Sequence, residues 1–340
     1  VGSAVGDAIG LPAEGLSAQR IARWWPGNLR HRFVFGRGMI SDDTEHALMT
    51  AQALIKVGGD VDAFRCCLAW KLRWWIIALP AGVGLATAKA CLRLWLGFSP
   101  ERSGVNSAGN GAAMRSAIIG ARFWNDAERR RLFVTASTRI THADKRAQTG
   151  ALAVAEAAAW VTAGKSAREF ADQISAVGDG NDWRLVARQI KDALEAKHSV
   201  VQFASTLGLN SAVTGYAYHS VPVALFAWLR HDGDFARTIE SVVRCGGDTD
   251  TVAAIAGALC GCEVGRDEIP HDWLNGVKDW PRSIRLTERV AERLADGNAA
   301  KPVVWFWPAV IPRNLVFLVV VLFHGFRRLF PPYANRQTKG

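Results

Sequence analysis

The chain has 340 residues, 49% of them apolar, with only 12 prolines, which describes one large packed core and excludes intrinsic disorder as the main state. Forty-one Lys and Arg against 31 Asp and Glu give a net charge of +10, suited to nucleotides, nucleic acid or acidic lipid without choosing among them. Six cysteines (Cys66, Cys67, Cys91, Cys245, Cys260, Cys262) are too few for a disulfide scaffold and lack the paired spacing of a zinc site, so a reducing, cytoplasmic compartment is expected.

In chain order, the sequence begins at Val1 inside the glycine-rich run Val1-Gly2-Ser3-Ala4-Val5-Gly6-Asp7-Ala8, with no targeting signal, as a cropped N-terminus would. Apolar alternation is nearly absent, and its best example is the short run Arg32-Phe33-Val34-Phe35. After Ser41-Asp42-Asp43-Thr44, apolar residues at Ala47, Leu48, Ala51, Leu54 and Ile55 follow one helix face, and Gly58-Gly59 ends it. Residues 150–161 and 252–259 are small and apolar all round, as in helices buried at the centre of a bundle. Asp234 is placed to cap a helix carrying the stripe Phe235, Ile239, Val242 and Val243, and Pro222 suits the start of another. The expected fold is all-α, a compact orthogonal multi-helix bundle over residues 1–297, followed by a Pro-, aromatic- and Arg-rich tail over 298–340.

Within the tail, residues 315–326 are mostly apolar and bounded by Arg313 and by Arg327-Arg328. A helix of that length is roughly 18 Å long, short of the ~30 Å hydrocarbon layer. Pro308 and Pro312 are expected to separate it from the apolar Val303-Val304-Trp305-Phe306-Trp307 upstream. Two readings stand: a segment packed on the protein or a partner, and an interfacial membrane anchor with Trp and Arg flanks.

The chemistry concentrates in two short acidic clusters, Ser41-Asp42-Asp43-Thr44 and Gly246-Gly247-Asp248-Thr249-Asp250-Thr251, each opening a buried-looking helix. Capping a helix needs one Ser or Asp, not two acids at both starts. Adjacent carboxylates repel in a partly dry place unless protons or a cation neutralise them, and with hydroxyls they form a hard-oxygen set for magnesium, manganese or calcium. Capping and a shared metal site both remain open on this text alone. A helix-loop-helix calcium loop is set aside for want of alternating ligands and a closing Glu, and an aspartyl-phosphate site for want of a parallel strand before Asp248.

The ordered set Gly6-Asp7-Ala8-Ile9-Gly10 with Glu14, Ser41-Asp42-Asp43-Thr44, Gly109-Asn110-Gly111-Ala112-Ala113-Met114-Arg115, Thr141-His142-Ala143-Asp144 and Gly247-Asp248-Thr249-Asp250-Thr251 resembles the successive signatures of the ADP-ribosylglycohydrolase family, which includes the dinitrogenase-reductase-activating glycohydrolases. The resemblance covers roughly residues 1–260, and the tail has no counterpart in it. It implies an all-helical fold with two magnesium ions, sometimes manganese, in a cleft that removes ADP-ribose from a modified protein side chain, most often arginine. Ser41, Asp42 and Asp43 would supply ligands from one helix start and Asp248, Asp250 and Thr251 from the other. Glu14 would gate the site and transfer a proton, with Asp43 the alternative for polarising the water. Residues Ser107, Gly109, Asn110 and Gly111 would form the ADP-ribose-binding loop, with Met114 and His142 beside the ligand.

Residue types support this independently of the resemblance. Cleaving a ribosyl C1 bond builds positive charge on the sugar and needs oriented hydroxyls, a held water and a proton for the leaving group. The loop at 107–111 can expose backbone N–H groups, with its glycines free to take positive φ near a diphosphate. Asp7 and Asp144 are read as supporting acids. Trp24-Trp25 and Trp74-Trp75 suit packing better than base stacking, and Arg129-Arg130-Arg131 suits a solvated helix face. No nucleic-acid-binding signature accompanies the charge. The alternative is a non-hydrolytic ADP-ribose or nucleotide sensor on the same fold.

Overall fold

A computed structural model describes residues 1–297, 300–328 and 330. Among these the chain forms seventeen α-helices joined by short 3-10 turns, with isolated β-bridges and no sheet. Nine helices frame the cleft and the C-terminal face and are numbered in chain order: α1 (Gly2–Gly10), α2 (Asp42–Val57), α3 (Val61–Trp75), α4 (Ala127–Thr141), α5 (Lys145–Thr162), α6 (Ala217–His231), α7 (Phe235–Val243), α8 (Thr249–Val264) and α9 (Val310–Arg327).

Helix α8 is the central post, apolar on every side as its sequence suggested. Helix α1 lies against it through Gly2, Gly6 and Gly10, four residues apart and therefore on one face. A Cβ on Gly6 would stand 2.1 Å from the Ala253 carbonyl oxygen, so only glycine permits this approach. Glycine here buys proximity: it brings Asp7 to the start of α2 and the chain after Gly10 to the start of α8. The main core spans α1, α5, α6, α7 and α8, and a second apolar cluster joins α2, α3 and α4.

Local signals hold at α2, which Ser41 caps by accepting from the Asp43 N–H and Gly58 ends at φ 65°. They hold at α7, where Asp234 accepts from the Arg237 N–H. As the near-absence of alternation suggested, residues 32–35 make no strand: the chain turns back between Phe33 and Arg37, burying Phe33 and leaving Phe35 outside. Three readings need correction. Pro222 lies inside α6, five residues beyond its start at Ala217. Arg130 does not share the solvated face of Arg129; it is buried and paired with Glu156 at 2.6 Å. Finally, Pro308 and Pro312 do not break the tail. Pro308 sits in a 3-10 turn leading into α9 and Pro312 in the first helical turn, where its missing N–H has no intrahelical partner to lose. The continuous stretch Trp307–Arg327 has 21 residues, about 31 Å, so shortness does not exclude a span.

Helix α9 is instead held on the protein. Arg313 is buried, donating to Asp279 Oδ1 at 3.0 Å and to the Ile40 carbonyl at 2.6 Å, while Asn314 donates to the Ala78 carbonyl at 2.7 Å. At the far end, His324 Nε2 lies 3.0 Å from the Pro12 carbonyl, and Arg328 donates to the Glu14 carbonyl at 2.6 Å. The helix thus props the two chain segments that precede α2 and follow α1.

Candidate active site

Both acidic clusters arrive at one place because α2 and α8 begin side by side. Asp7 collects the first turn of α2: its carboxylate accepts from the Ser41 N–H at 2.9 Å, from the Thr44 N–H at 3.3 Å and from the Thr44 hydroxyl. Asp43 then accepts from the Ser41 hydroxyl at 3.0 Å and from the Thr251 hydroxyl at 3.2 Å, the bond that ties the two helix starts together. Ahead of α8, Gly246 and Gly247 take φ values of +72° and +83°, and a Cβ on Gly247 would stand 1.9 Å from the Val213 carbonyl. That turn is closed to any other residue.

Capping does not account for the acids. Ser41 caps α2, and the Asp248 side chain makes no capping bond to α8; it accepts from Asn110 Nδ2 at 2.6 Å instead. Asp43 Oδ1 and Asp250 Oδ1 are buried without any partner. Loss of hydration first, and neighbouring carboxylates second, push Asp42, Asp43 and Asp250 well above the usual carboxylate range. Burial also raises Asp248, and raises Asp7 to about 6 against the pull of its donors. Among the described residues, no arginine or lysine side chain bonds to any of these five carboxylates.

The clusters form one end of a cleft of about 480 Å³. Asp42, Asp248, Asp250 and Thr251 line it, with Glu14 at the rim, whereas Ser41 and Asp43 stand just behind, almost wholly buried. Burial, and next Asp248, raise the Glu14 carboxyl; Arg328 opposes this weakly. The opposite wall is the 107–111 loop with Met114 and His142, so Ser107, Gly109, Asn110 and Gly111 all reach the cleft. Their glycines serve differently from expectation. Gly109 has φ −70° and Gly111 is not in the left-handed region; what excludes a side chain is the His142 ring, 3.1 and 3.0 Å from the Cβ positions. His142 itself is held neutral, burial and then Arg115 lowering it to about 3. Asp144 stays outside the cleft, capping α5 and pairing with Arg146.

Two features escaped the sequence reading. Arg115 is fully buried without a carboxylate, donating to Ser137 Oγ at 2.9 Å, to the Gly111 carbonyl at 2.8 Å and to Thr141 Oγ1 at 2.8 Å. It fastens the glycine loop to α4 and repels protons from His46 and His142. Its motif was visible, its role was not, since Ser137 and Thr141 carry no chemical signal. The chain at 213–215 supplies another part of the wall, with no signal beyond Gly215.

An all-helical frame around a cleft lined at one end by carboxylates and hydroxyls, with no thiol in its lining, defines the class of protein. The chain belongs to the ADP-ribosylglycohydrolase family, whose profile matches residues 1–301, and it is a hydrolase of glycosidic ADP-ribose linkages. It is 32% identical to an uncharacterised protein of Archaeoglobus fulgidus over 82% of this chain and 90% of the other. To the ADP-ribosyl-[dinitrogen reductase] glycohydrolase of Rhodospirillum rubrum it is 28% identical, covering 81% and 87%. To human ADP-ribosylhydrolase ARH3 it is 30% identical, covering 56% and 60%. Its fold is similar to that of a solved ADP-ribosylglycohydrolase-related protein complex, with TM-score 0.65 and 25% identity over 87% of this chain and 95% of the other.

Proposed function

We propose that the enzyme releases ADP-ribose from ADP-ribosyl-arginine on protein substrates and depends on magnesium, two ions in number, with manganese able to replace it. The observation carrying the metal assignment is the pair of buried, unpartnered oxygens, Asp43 Oδ1 and Asp250 Oδ1, on helix starts joined through Thr251. Uncompensated carboxylates packed this closely call for cations. Among the described residues no three His, Cys, Asp or Glu side chains enclose an ion by themselves. Magnesium suits carboxylate and hydroxyl oxygens and keeps several of its own waters. Ser41, Asp42 and Asp43 from one side and Asp248, Asp250 and Thr251 from the other would hold it. Bound there, it would supply Lewis acidity toward ribose hydroxyls and a water of lowered pKa.

The chain's own groups set the remaining chemistry. Glu14, raised by burial and by Asp248, retains a proton more readily than a free glutamate, as passing one to the leaving group requires. The neutral His142 and the loop fastened by Arg115 would present an uncharged wall to the ADP-ribose. An acidic rim and floor suit a cationic guanidinium leaving group, which is the support for arginine. All six cysteines are free thiols, which agrees with a cytoplasmic setting.

The test offers ADP-ribosyl-arginine and ADP-ribosyl-serine proteins side by side, with magnesium or with chelator. ADP-ribose should appear from the arginine conjugate only when magnesium is present. Equal release under chelator overturns the metal, and preference for the serine conjugate overturns the linkage.

A further inference from the structure

The +10 charge is not spread over the molecule. Residues 15–41 contain Arg20, Arg23, Arg30, Arg32 and Arg37 and no acid, and residues 297–340 contain Lys301, Arg313, Arg327, Arg328, Arg336 and Lys339 and no acid. Those eleven cations account for the whole excess, leaving thirty basic against thirty-one acidic residues elsewhere. The two stretches are far apart in sequence, but their described parts pack together. Phe33 and Phe317 share a small apolar cluster, the Phe33 ring meets His324 edge-on at 5.1 Å, and Arg20 donates to the Arg328 carbonyl at 2.8 Å.

Over this ground lies an apolar face that no described residue covers. With Arg313, Asn314 and Phe317 turned inward, α9 presents Leu315, Val319 (66% exposed), Leu322 (62%), Phe323 (71%) and Phe326 outward, spaced as one helical stripe, with Trp307 exposed at its start. Soluble monomers rarely expose so long an apolar surface. Beside it, the turn anchored by Phe33 carries Phe35 at its tip, 97% exposed and at φ +54°, a conformation costly for a bulky residue. Arg30 and Arg37 on the same turn, and Arg20 and Arg23 before it, are exposed as well.

We propose that this face docks on an anionic lipid bilayer, α9 lying in the plane of the interface with its outward stripe in the acyl boundary, Phe35 and Trp307 beside it and the arginines among the headgroups. The helix does not cross: Arg313 is tied to Asp279 and Ile40, and His324 to Pro12, so one side stays with the protein along its length. An apolar stripe flanked by aromatic and cationic side chains is what interfacial helices use, and anionic lipid complements the exposed Arg20, Arg23, Arg30 and Arg37. A partner protein or a second copy would also bury the stripe, but neither by itself calls for the exposed arginines Arg20, Arg23, Arg30 and Arg37 on the chain packed against α9. The inference stands apart from the linkage cleaved and the metal used.

Vesicle flotation with the full chain tests it, using phosphatidylcholine with and without phosphatidylglycerol. The protein should float with the anionic vesicles only, and release as salt rises. Val319→Glu with Leu322→Glu should abolish flotation while leaving the melting curve unchanged, since both side chains are exposed. Replacing Arg20, Arg23, Arg30 or Arg37 by Ser should weaken binding about fivefold each. These surface arginine variants keep the test decisive even if the glutamates disturb folding. No flotation with anionic vesicles overturns the proposal, as does flotation indifferent to charge or to the glutamates. A dimer in lipid-free ultracentrifugation that the glutamates dissociate, without vesicle binding, would assign the face to a second copy instead.

Discussion

Within the first turn of α2, Asp42 and Asp43 on one hand and Glu45 on the other belong to two buried ionic groups built to opposite rules. Glu45 meets the indole N–H of Trp75 and the guanidinium groups of Arg282 and Arg313, and Arg313 also answers Asp279. Every charge there has a counter-charge, so the group is complete as it stands and serves to hold α9 and the chain before Ser41. Asp42, Asp43, Asp248 and Asp250 meet hydroxyls, an amide and one another. Buried charge left unbalanced costs stability, and a fold retains it where something else is to bind. The contrast separates structure from function more sharply than burial or acidity alone.

Changing the unbalanced group should cost activity and not fold. Asp42→Asn with Asp43→Asn is expected to lower kcat/KM about a thousandfold or more, the scale of losing metal-centred stabilisation, with the helical circular dichroism retained. Turnover near wild type would remove the reason for treating the two groups differently. Changing the balanced group should do the reverse. Arg313→Ala strands Asp279, while Glu45 keeps Arg282, and should cost about 3–5 kcal/mol in urea unfolding. A small loss there would mean that α9 is only loosely held.

The sign of the pH response sharpens the same contrast. Asp43 has its folded-state pKa raised by burial and like charges, so its protonation stabilises the fold fully below the ordinary value of 3.8 and less and less as pH rises through the folded-state value. In metal-free protein Asp43→Asn should therefore match wild type in acid and exceed it by about 1–2 kcal/mol at neutral pH. Taking the difference between variant and parent cancels the buried histidines, His46 and His142, whose lowered pKa values act in the opposite direction. Magnesium should raise the wild-type melting temperature at neutral pH and leave the variant nearly unmoved. A difference flat in pH would show that these carboxylates do not repel.

How much of this could be read beforehand depended on whether the chemistry was contiguous. The two acidic clusters are runs of adjacent residues, so their place at the helix starts was visible from the text, as was the all-helical core. The capping alternative fell only when Asp248 was seen to bond Asn110, a partner 138 positions away. The Glu45 group was not legible at all, since Arg282 and Arg313 lie more than two hundred positions from it and each looks like an ordinary surface arginine in sequence. The alternation at residues 32–35 was silent for a related reason. Alternation predicts which faces differ, not whether the chain is extended, and Phe33 and Phe35 diverge because the backbone turns between them.

That turn supplies the smallest effect and the most discriminating. Phe35 holds φ +54°, where a side chain with a Cβ costs about 1–2 kcal/mol and glycine costs nothing, although glycine loses roughly 0.5–1 kcal/mol of unfolded-state freedom. Its side chain is almost entirely exposed, so no packing is forfeited on removal. Phe35→Gly should then leave the protein as stable as before or more stable by up to about 1 kcal/mol, read as a small rise in melting temperature. The same variant should float less well with anionic vesicles, because the ring is gone from the basic turn. A fold that keeps a strained, solvent-facing phenylalanine where glycine would be easier retains it for something outside itself. A loss of stability in Phe35→Gly would instead mean that the ring contributes to the fold.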